Sequence, residues 1–247
     1  MLEGPDLVAA AIAAGAELEA VYFEAEAATD ARPACAEALA LASRQGIRLV
    51  ELREGVLAKV AEAQTPQPIL GVARIPATGL DRVPASGFVL VLSDVRDPGN
   101  LGTAVRSADA AGCAAVIVCG QSVDVFNPKA LRATAGSAFH LPIAVTEHLD
   151  EAVAALRTSG RRVLAAVVRG GTPLWSADLS PRTAAVVGGE ATGLSDAARA
   201  LCDAEVTIAM AGRAESLNVG VAAALLCFEA LRRAAGPEGA RTAPPTI

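Results

Sequence analysis

No apolar run in the sequence approaches the roughly 20 residues needed to span a bilayer. Its hydrophobic stretches are short and broken by Gly, Pro or charge. The start, Met1-Leu2-Glu3-Gly4-Pro5-Asp6, lacks the basic residues and apolar core of a signal peptide. Five cysteines (Cys35, Cys113, Cys119, Cys202, Cys227) are scattered, odd in number and without C-x-x-C spacing. That pattern fits reduced, buried thiols and a cytoplasmic location rather than a disulfide frame. With only His140 and His148 as further soft ligands, no metal site is expected. Basic excess is missing too. The net charge is −6, which on its face argues against a nucleic-acid partner. Its distribution weakens that objection. Residues 1–80 carry 11 acidic and 6 basic side chains, whereas residues 81–247 carry 16 and 15. A near-neutral half can still present a local group of arginines.

What is present is aliphatic. Hydrophobic residues make up 53% of 247 positions, enough to bury one large or two modest cores. Residues 1–75 read as a small α/β unit, with helices near 6–15 and 33–45 and strands at 21–23, 47–52 and 69–73. Residues 76–86, rich in Pro, Gly and small side chains, read as a linker. From 87 to 235 nearly continuous apolar strands alternate with helical stretches: 88–92, 115–119, 141–145, 162–168, 184–187 and 206–210. Unalternated runs of this kind suit a parallel sheet covered on both faces. A last helix is expected near 217–234, and residues 236–247 have the composition of a disordered tail.

Ligands of parallel α/β sheets sit beyond the carboxyl ends of strands, so the turns after strands carry the chemistry. Three stand out. In Asp94-Val95-Arg96-Asp97-Pro98-Gly99-Asn100-Leu101-Gly102-Thr103-Ala104-Val105-Arg106, Pro98 and Gly99 suggest a turn and Asn100 a helix cap, with Arg106 further along the helix. Val187-Gly188-Gly189-Glu190-Ala191-Thr192-Gly193-Leu194 is a strand end with paired glycines, which let a ligand approach the backbone, and a carboxylate. In Ile208-Ala209-Met210-Ala211-Gly212-Arg213-Ala214-Glu215-Ser216-Leu217-Asn218-Val219-Gly220, a small-residue loop leads into the long helix. Ser216 and Asn218 can both be explained as caps. Each turn alone also fits ordinary loop chemistry.

Taken in order, Asn-x-Gly-x-x-x-Arg, Gly-Gly-Glu-x-x-Gly-Leu and Ile-x-Met-x-Gly-x-x-x-Ser-Leu-Asn-Val resemble the three motifs of the SpoU/TrmH family of RNA 2′-O-ribose methyltransferases, within the SPOUT superfamily. The resemblance spans 87–235 and includes Asn127-Pro128-Lys129-Ala130-Leu131-Arg132-Ala133-Thr134-Ala135-Gly136-Ser137. Residues 1–75 look like the small substrate-binding domain that precedes the catalytic domain in many members. Ala209 stands where the family usually has Pro, and Gly220 where it more often has Ala or Ser.

The resemblance implies an α/β fold with a trefoil-knotted parallel-sheet catalytic domain, S-adenosylmethionine as cofactor, structured RNA as substrate, and a homodimer. Ribosomal RNA is favoured by the two-domain layout, and transfer RNA is the alternative. Carried over from the family, Gly188, Gly189, Ile208, Met210, Leu217 and Asn218 would hold the cofactor. Arg106 would be the catalytic residue, with Asn100 and Glu190 orienting it or the ribose. Ser216 and Asn218 would fix the third loop. Two other classes compete. A nucleotide-binding oxidoreductase needs Gly-x-Gly-x-x-Gly after an early strand, which no segment supplies. A non-catalytic RNA-binding or assembly protein of the same fold would be marked by loss of Asn100, Arg106 or Asn218, and all three are present.

Overall fold

The computed structural model describes residues 1–29, 32–63, 65–190 and 192–235; the tail expected beyond 235 lies outside them. The chain forms two compact units. One comprises Met1–Pro76 with Asp124–His140, the other Ala77–Val123 with Leu141–Ile247.

The first unit carries β1 (Leu2–Glu3), α1 (Pro5–Ala13), β2 (Leu18–Glu24), α2 (Pro33–Arg44), β3 (Leu49–Leu52), α3 (Leu57–Val60) and β4 (Ile69–Ala73). Its strands make a mixed sheet in the order β1-β4-β2-β3, with β2 parallel to β3 and antiparallel to β4. Pro5 and Pro33 open the two main helices, where a missing N–H costs nothing. Val8, Ala11 and Ile12 of α1 and Cys35, Ala38 and Ala42 of α2 are buried. Contacts place residues 124–140 in this unit, although in sequence they fall between two strands of the other. The anchor is Glu3. Its carboxylate pairs with the Arg132 guanidinium and accepts the N–H groups of Glu62 at 2.8 Å and Ala63 at 3.2 Å.

The second unit contains β5 (Val89–Ser93), α4 (Pro98–Ala110), β6 (Ala115–Cys119), β7 (Ile143–Thr146), α6 (Leu149–Thr158), β8 (Arg162–Val167), β9 (Thr172–Pro173), β10 (Thr183–Gly188), α7 (Asp196–Ala200), β11 (Ala204–Thr207) and α8 (Val219–Ala234); α5 (Pro128–Thr134) is the helix of the segment held by Glu3. Seven strands pair in the order β7-β6-β5-β10-β8-β11-β9, and every pairing is parallel. Burial on both faces explains the unalternated apolar runs: all five residues of β5 and of β6 are buried. Val89, Val91, Ile117, Val163 and Val186 meet Val153 and Leu156 of α6 in one core. On another part of the unit α4 packs along α8.

Of residues 76–86, expected as a linker, those from Ala77 onward belong to this unit. Leu80 and Val83 pack on its core, and the Thr78 carbonyl accepts the Val145 N–H at 2.8 Å. The buried Arg161 guanidinium holds the carbonyls of Pro84 and Gly87. Two strand ends differ from expectation. The strand expected to reach Met210 stops at Thr207, and the last helix begins at Val219 rather than near 217. Ile208, Met210 and Leu217 are therefore loop residues.

Because the chain runs β5-β6-β7 outward and then returns to place β10 between β5 and β8, the sheet has a topological switch beside β5 and β10. The loops after β5, β10, β8 and β11 leave from one edge there.

Glu3→Ala removes the partner of a half-buried arginine and of two main-chain N–H groups. It should lower stability by about 3 kcal/mol, read as a shift of the denaturation midpoint. A loss below about 0.5 kcal/mol, the scale of an ordinary surface change, would exclude the anchoring role.

Candidate active site

The loop after β5 is organised by an acid the sequence reading passed over. Asp97, not Asn100, caps α4: its Oδ1 accepts the Asn100 N–H at 2.8 Å, and Pro98 is the first helical residue. The expectation that Asn100 caps the helix is corrected by this geometry. Pro98 tolerates the first turn because its absent N–H is unneeded there, so the helix starts three residues earlier than an Asn100 cap implies. Asn100 lies inside the first turn and its amide is free for other work.

That amide joins three loops. Asn100 Nδ2 donates to Glu190 Oε1 at 2.9 Å, and Asn100 Oδ1 accepts from Asn218 Nδ2 at 2.8 Å. Asn218 is itself the N-cap of α8, its Oδ1 accepting from the N–H groups of Gly220 at 2.9 Å and Val221 at 3.3 Å. Asn218 thus caps α8 through its oxygen and joins Asn100 through its amide nitrogen, its two side-chain ends doing separate jobs. At Gly220 a methyl group would stand 3.1 Å from Thr103 Cγ2, so glycine lets the first turn of α8 come close to α4.

Glu190 sits on the loop after β10. Desolvation pushes its carboxyl pKa up, but the Asn100 amide and the main-chain N–H groups of Glu190, Arg96 and Asp97 outweigh it. The net result lies below the ordinary value of 4.5. Glu190 is held as an anion that accepts hydrogen bonds, which makes it a poor proton acceptor.

The paired glycines are needed for close packing of loop on loop. A Cβ on Gly188 would lie 2.3 Å from the Gly193 carbonyl carbon, and one on Gly189 would lie 2.1 Å from the Asp94 carbonyl oxygen. The same two glycines also line the cavity described below. Asp94 itself has φ +60°, a left-handed conformation that aspartate tolerates better than most residues.

Between the ends of β8 and β10 and the loop 208–218 lies a cavity of about 510 Å³. Val167, Val187, Ile208, Leu217 and Leu226 give it aliphatic walls; Glu190, Thr192, Ser216 and Asn218 give it polar groups. All six residues expected around the cofactor, Gly188, Gly189, Ile208, Met210, Leu217 and Asn218, line it. Of those expected to act in catalysis, Glu190, Ser216 and Asn218 line it, and Asn100 is one hydrogen bond away. Arg106 does not line it. It is exposed on α4 and, among the described residues, forms no hydrogen bond or ion pair. Sequence reasoning missed Ala166, Val167 and Val168 at the end of β8, and Ala222 on α8. Their only signal was position, since β8 ends at the same edge. Among the described residues no group of three or more His, Cys, Asp or Glu is arranged to hold a metal ion.

The volume, the aliphatic walls and the polar rim fit a nucleoside with a charged amino-acid arm. A parallel sheet with such a cavity beside a switch point, rimmed by a Glu–Asn–Asn chain, has the form of a small-molecule site in an α/β enzyme. Residues 87–228 match the model described as the SpoU rRNA Methylase family, and residues 1–71 match the MRM3-like substrate binding domain. The chain belongs to the SpoU family and carries its amino-terminal substrate-binding domain. It is 38% identical over 183 residues to the 23S rRNA (guanosine(2553)-2′-O)-methyltransferase RlmP of Bacillus subtilis, covering 74% of this chain and 72% of that one. To the 23S rRNA (uridine(2479)-2′-O)-methyltransferase of Streptomyces viridochromogenes it is 37% identical, covering 69% and 62%. The crystal structure of the SpoU methyltransferase AviRb from Streptomyces viridochromogenes, in complex with AdoMet, superposes with a TM-score of 0.82 at 30% identity, over 94% of this chain and 89% of that one.

Gly189→Ala should force the loops of β5 and β10 apart and weaken S-adenosylmethionine binding by about tenfold or more, measured by titration calorimetry. Unchanged affinity would mean the loops can separate without cost to the cavity. Because the Glu190 pKa is lowered, its hydrogen-bond acceptance is complete above 4.5 and is lost only as pH falls through the lowered value. Cofactor affinity followed from pH 8 to 5 should therefore show no step that Glu190→Gln removes; such a step would contradict the anionic assignment.

Proposed function

We propose that the chain transfers a methyl group from S-adenosylmethionine to a ribose 2′-hydroxyl of 23S ribosomal RNA, in the cytoplasm. The observation that carries this reading is the cavity opening beside the Glu190–Asn100–Asn218 chain, at the carboxyl edge of a parallel sheet. Bound there, the cofactor supplies a methyl carbon activated by a sulfonium. Gly188, Gly189, Ile208, Met210 and Leu217 would enclose it, and Ser216 and Asn218 hold the third loop against the first.

The chain's own task is to bring a 2′-oxygen into line with that carbon and to favour loss of its proton. Orientation of this kind contributes up to about 7–11 kcal/mol of a barrier. Arg106, exposed and uncommitted, would grip the adjacent phosphate and stabilise the forming alkoxide. A guanidinium carries five donors and no acceptor, so direct deprotonation of the hydroxyl by Arg106 is disfavoured. Glu190, saturated by donors, orients Asn100 instead of taking the proton. The substrate is read from the 23S rRNA enzymes that match along both units. The knotted passage of the carboxyl-terminal segment is part of the same proposal, supported by the return of β10 between β5 and β8.

A homodimer is also proposed. Ala223 and Leu226 of α8 are buried within the unit. Val221, Phe228 and Leu231 are 47%, 47% and 41% exposed at helical spacing. An apolar stripe of this kind needs a cover. Light scattering should report a dimer that Phe228→Glu converts to monomer; a monomeric parent at working concentration would contradict it.

With methyl-labelled S-adenosylmethionine, label should enter unmodified 23S rRNA and leave one phosphodiester resistant to alkali. Label only in transfer RNA would overturn the substrate. Arg106→Ala should lower turnover by at least about a hundredfold with cofactor affinity within about twofold. Full activity would remove Arg106 from the reaction.

A further inference from the structure

Arg96 lies two residues from the end of the β5 loop's sharp turn at Asp94, and no family motif accounts for it. Its Nη2 donates to Gln121 Oε1 at 2.8 Å, and its main-chain N–H faces Glu190 Oε2 at 3.5 Å. Gln121, on the loop after β6, is itself fixed: its N–H donates to Asp94 Oδ1 at 2.9 Å. The same two loops are braced again where Val95 N–H meets Ser122 Oγ at 3.0 Å and Val123 N–H meets the Val95 carbonyl at 2.9 Å.

The charge distribution around this brace is uneven. Asp94, Asp97 and Glu190 are each tied down internally: Asp94 Oδ2 accepts from Ser93 Oγ at 3.1 Å, Asp97 from the Asn100 N–H, and Glu190 from the Asn100 amide. Arg96 is the only cation within residues 93–97 and 119–123. It is exposed, and among the described residues its one side-chain partner is a neutral amide. A guanidinium has five N–H donors, so most of its fork remains open.

Position gives the open fork a use. Along the carboxyl edge the strand order is β6, β5, β10, β8, β11. The cavity belongs to the loops of β10, β8 and β11, and the Glu190–Asn100–Asn218 chain marks its border toward β5. Arg96 and Gln121 bridge β5 and β6, on the far side of that border. Arg96 thus stands next to the border on the side away from the cavity, with donors turned to solvent.

We propose that Arg96, aimed by Gln121, binds a phosphate of the RNA next to the target ribose and offsets the three carboxylates of the surrounding loops. This rests on the RNA methyltransferase reading above. Arg96 is a substrate-binding residue, and Gln121 is the positioning residue behind it.

The test is binding of an unmodified 23S rRNA transcript by fluorescence anisotropy across a series of KCl concentrations. Cofactor affinity by calorimetry and methyl transfer by the parent protein are measured in parallel. Arg96→Ala should weaken RNA binding about tenfold and reduce the slope of log affinity against log salt by about 0.7–0.9, the loss of one phosphate contact. Cofactor affinity should not change. Arg96→Lys should restore the slope but not the full affinity, since ammonium lacks the fork. Gln121→Ala should weaken binding with the slope kept, because the charge remains but is no longer aimed. Unchanged RNA affinity and slope in Arg96→Ala would overturn the proposal, as would a fall in turnover with RNA affinity intact. If the parent binds the transcript but transfers no methyl, the functional reading fails while the slope still decides the role of Arg96. A parent that binds no RNA overturns both.

Discussion

The active edge of this protein depends on one hydrogen-bonded chain, Glu190–Asn100–Asn218. Three loops from three different strands meet there, and no local interaction would bring them together. Each bond contributes on the order of 1 kcal/mol net, and more where a carboxylate is the acceptor. The larger effect is directional. Glu190 fixes which end of the Asn100 amide is the donor, and Asn100 then presents its oxygen to Asn218. Asn218 in turn spends its own oxygen on the first turn of α8. The chain therefore transmits orientation from a carboxylate on the loop after β10 to the start of a 16-residue helix that lines the cavity.

Around that chain, shape comes from close approach rather than from large side chains. Gly188 and Gly189 allow the β10 loop to rest on the backbone of Gly193 and Asp94, and the left-handed turn at Asp94 brings its carbonyl into that contact. The result is a rim made of main chain and short polar groups over walls of Val, Ile and Leu. Such a cavity suits a flat aromatic base and a short charged arm, while the exposed Arg106, without a partner among the described residues, stays outside it. On the proposed reading, binding of the cofactor and handling of the RNA fall to neighbouring but distinct surfaces.

Much of this was legible in the residues. Continuous apolar runs such as 89–92 and 115–119 require burial on two faces, and so imply a parallel sheet with ligands at its carboxyl edge. Small polar motifs after those runs then mark the site. What could not be read were choices decided by geometry between distant residues. Asp97 and Asn100 are both good cap residues, and only the position of Glu190, 90 residues away, gives Asn100 another use. The run 206–210 is apolar except for Thr207, yet pairing with β8 ends at that residue and turns Ile208 and Met210 into cavity wall. Leu80 and Val83 look like incidental apolar residues in a Pro- and Gly-rich stretch until the core they cover is known. The attachment of 124–140 to the first unit rests on Glu3 and Arg132, 129 positions apart. Nothing local announces that pairing.

A double-mutant cycle between Asn100 and Asn218, read as kcat/KM for methyl transfer, tests most directly whether the chain works as one unit. The account predicts strong non-additivity: each single alanine substitution should cost nearly as much as both together, because either breaks the same relay. Additive losses would contradict it and show that the two amides act independently.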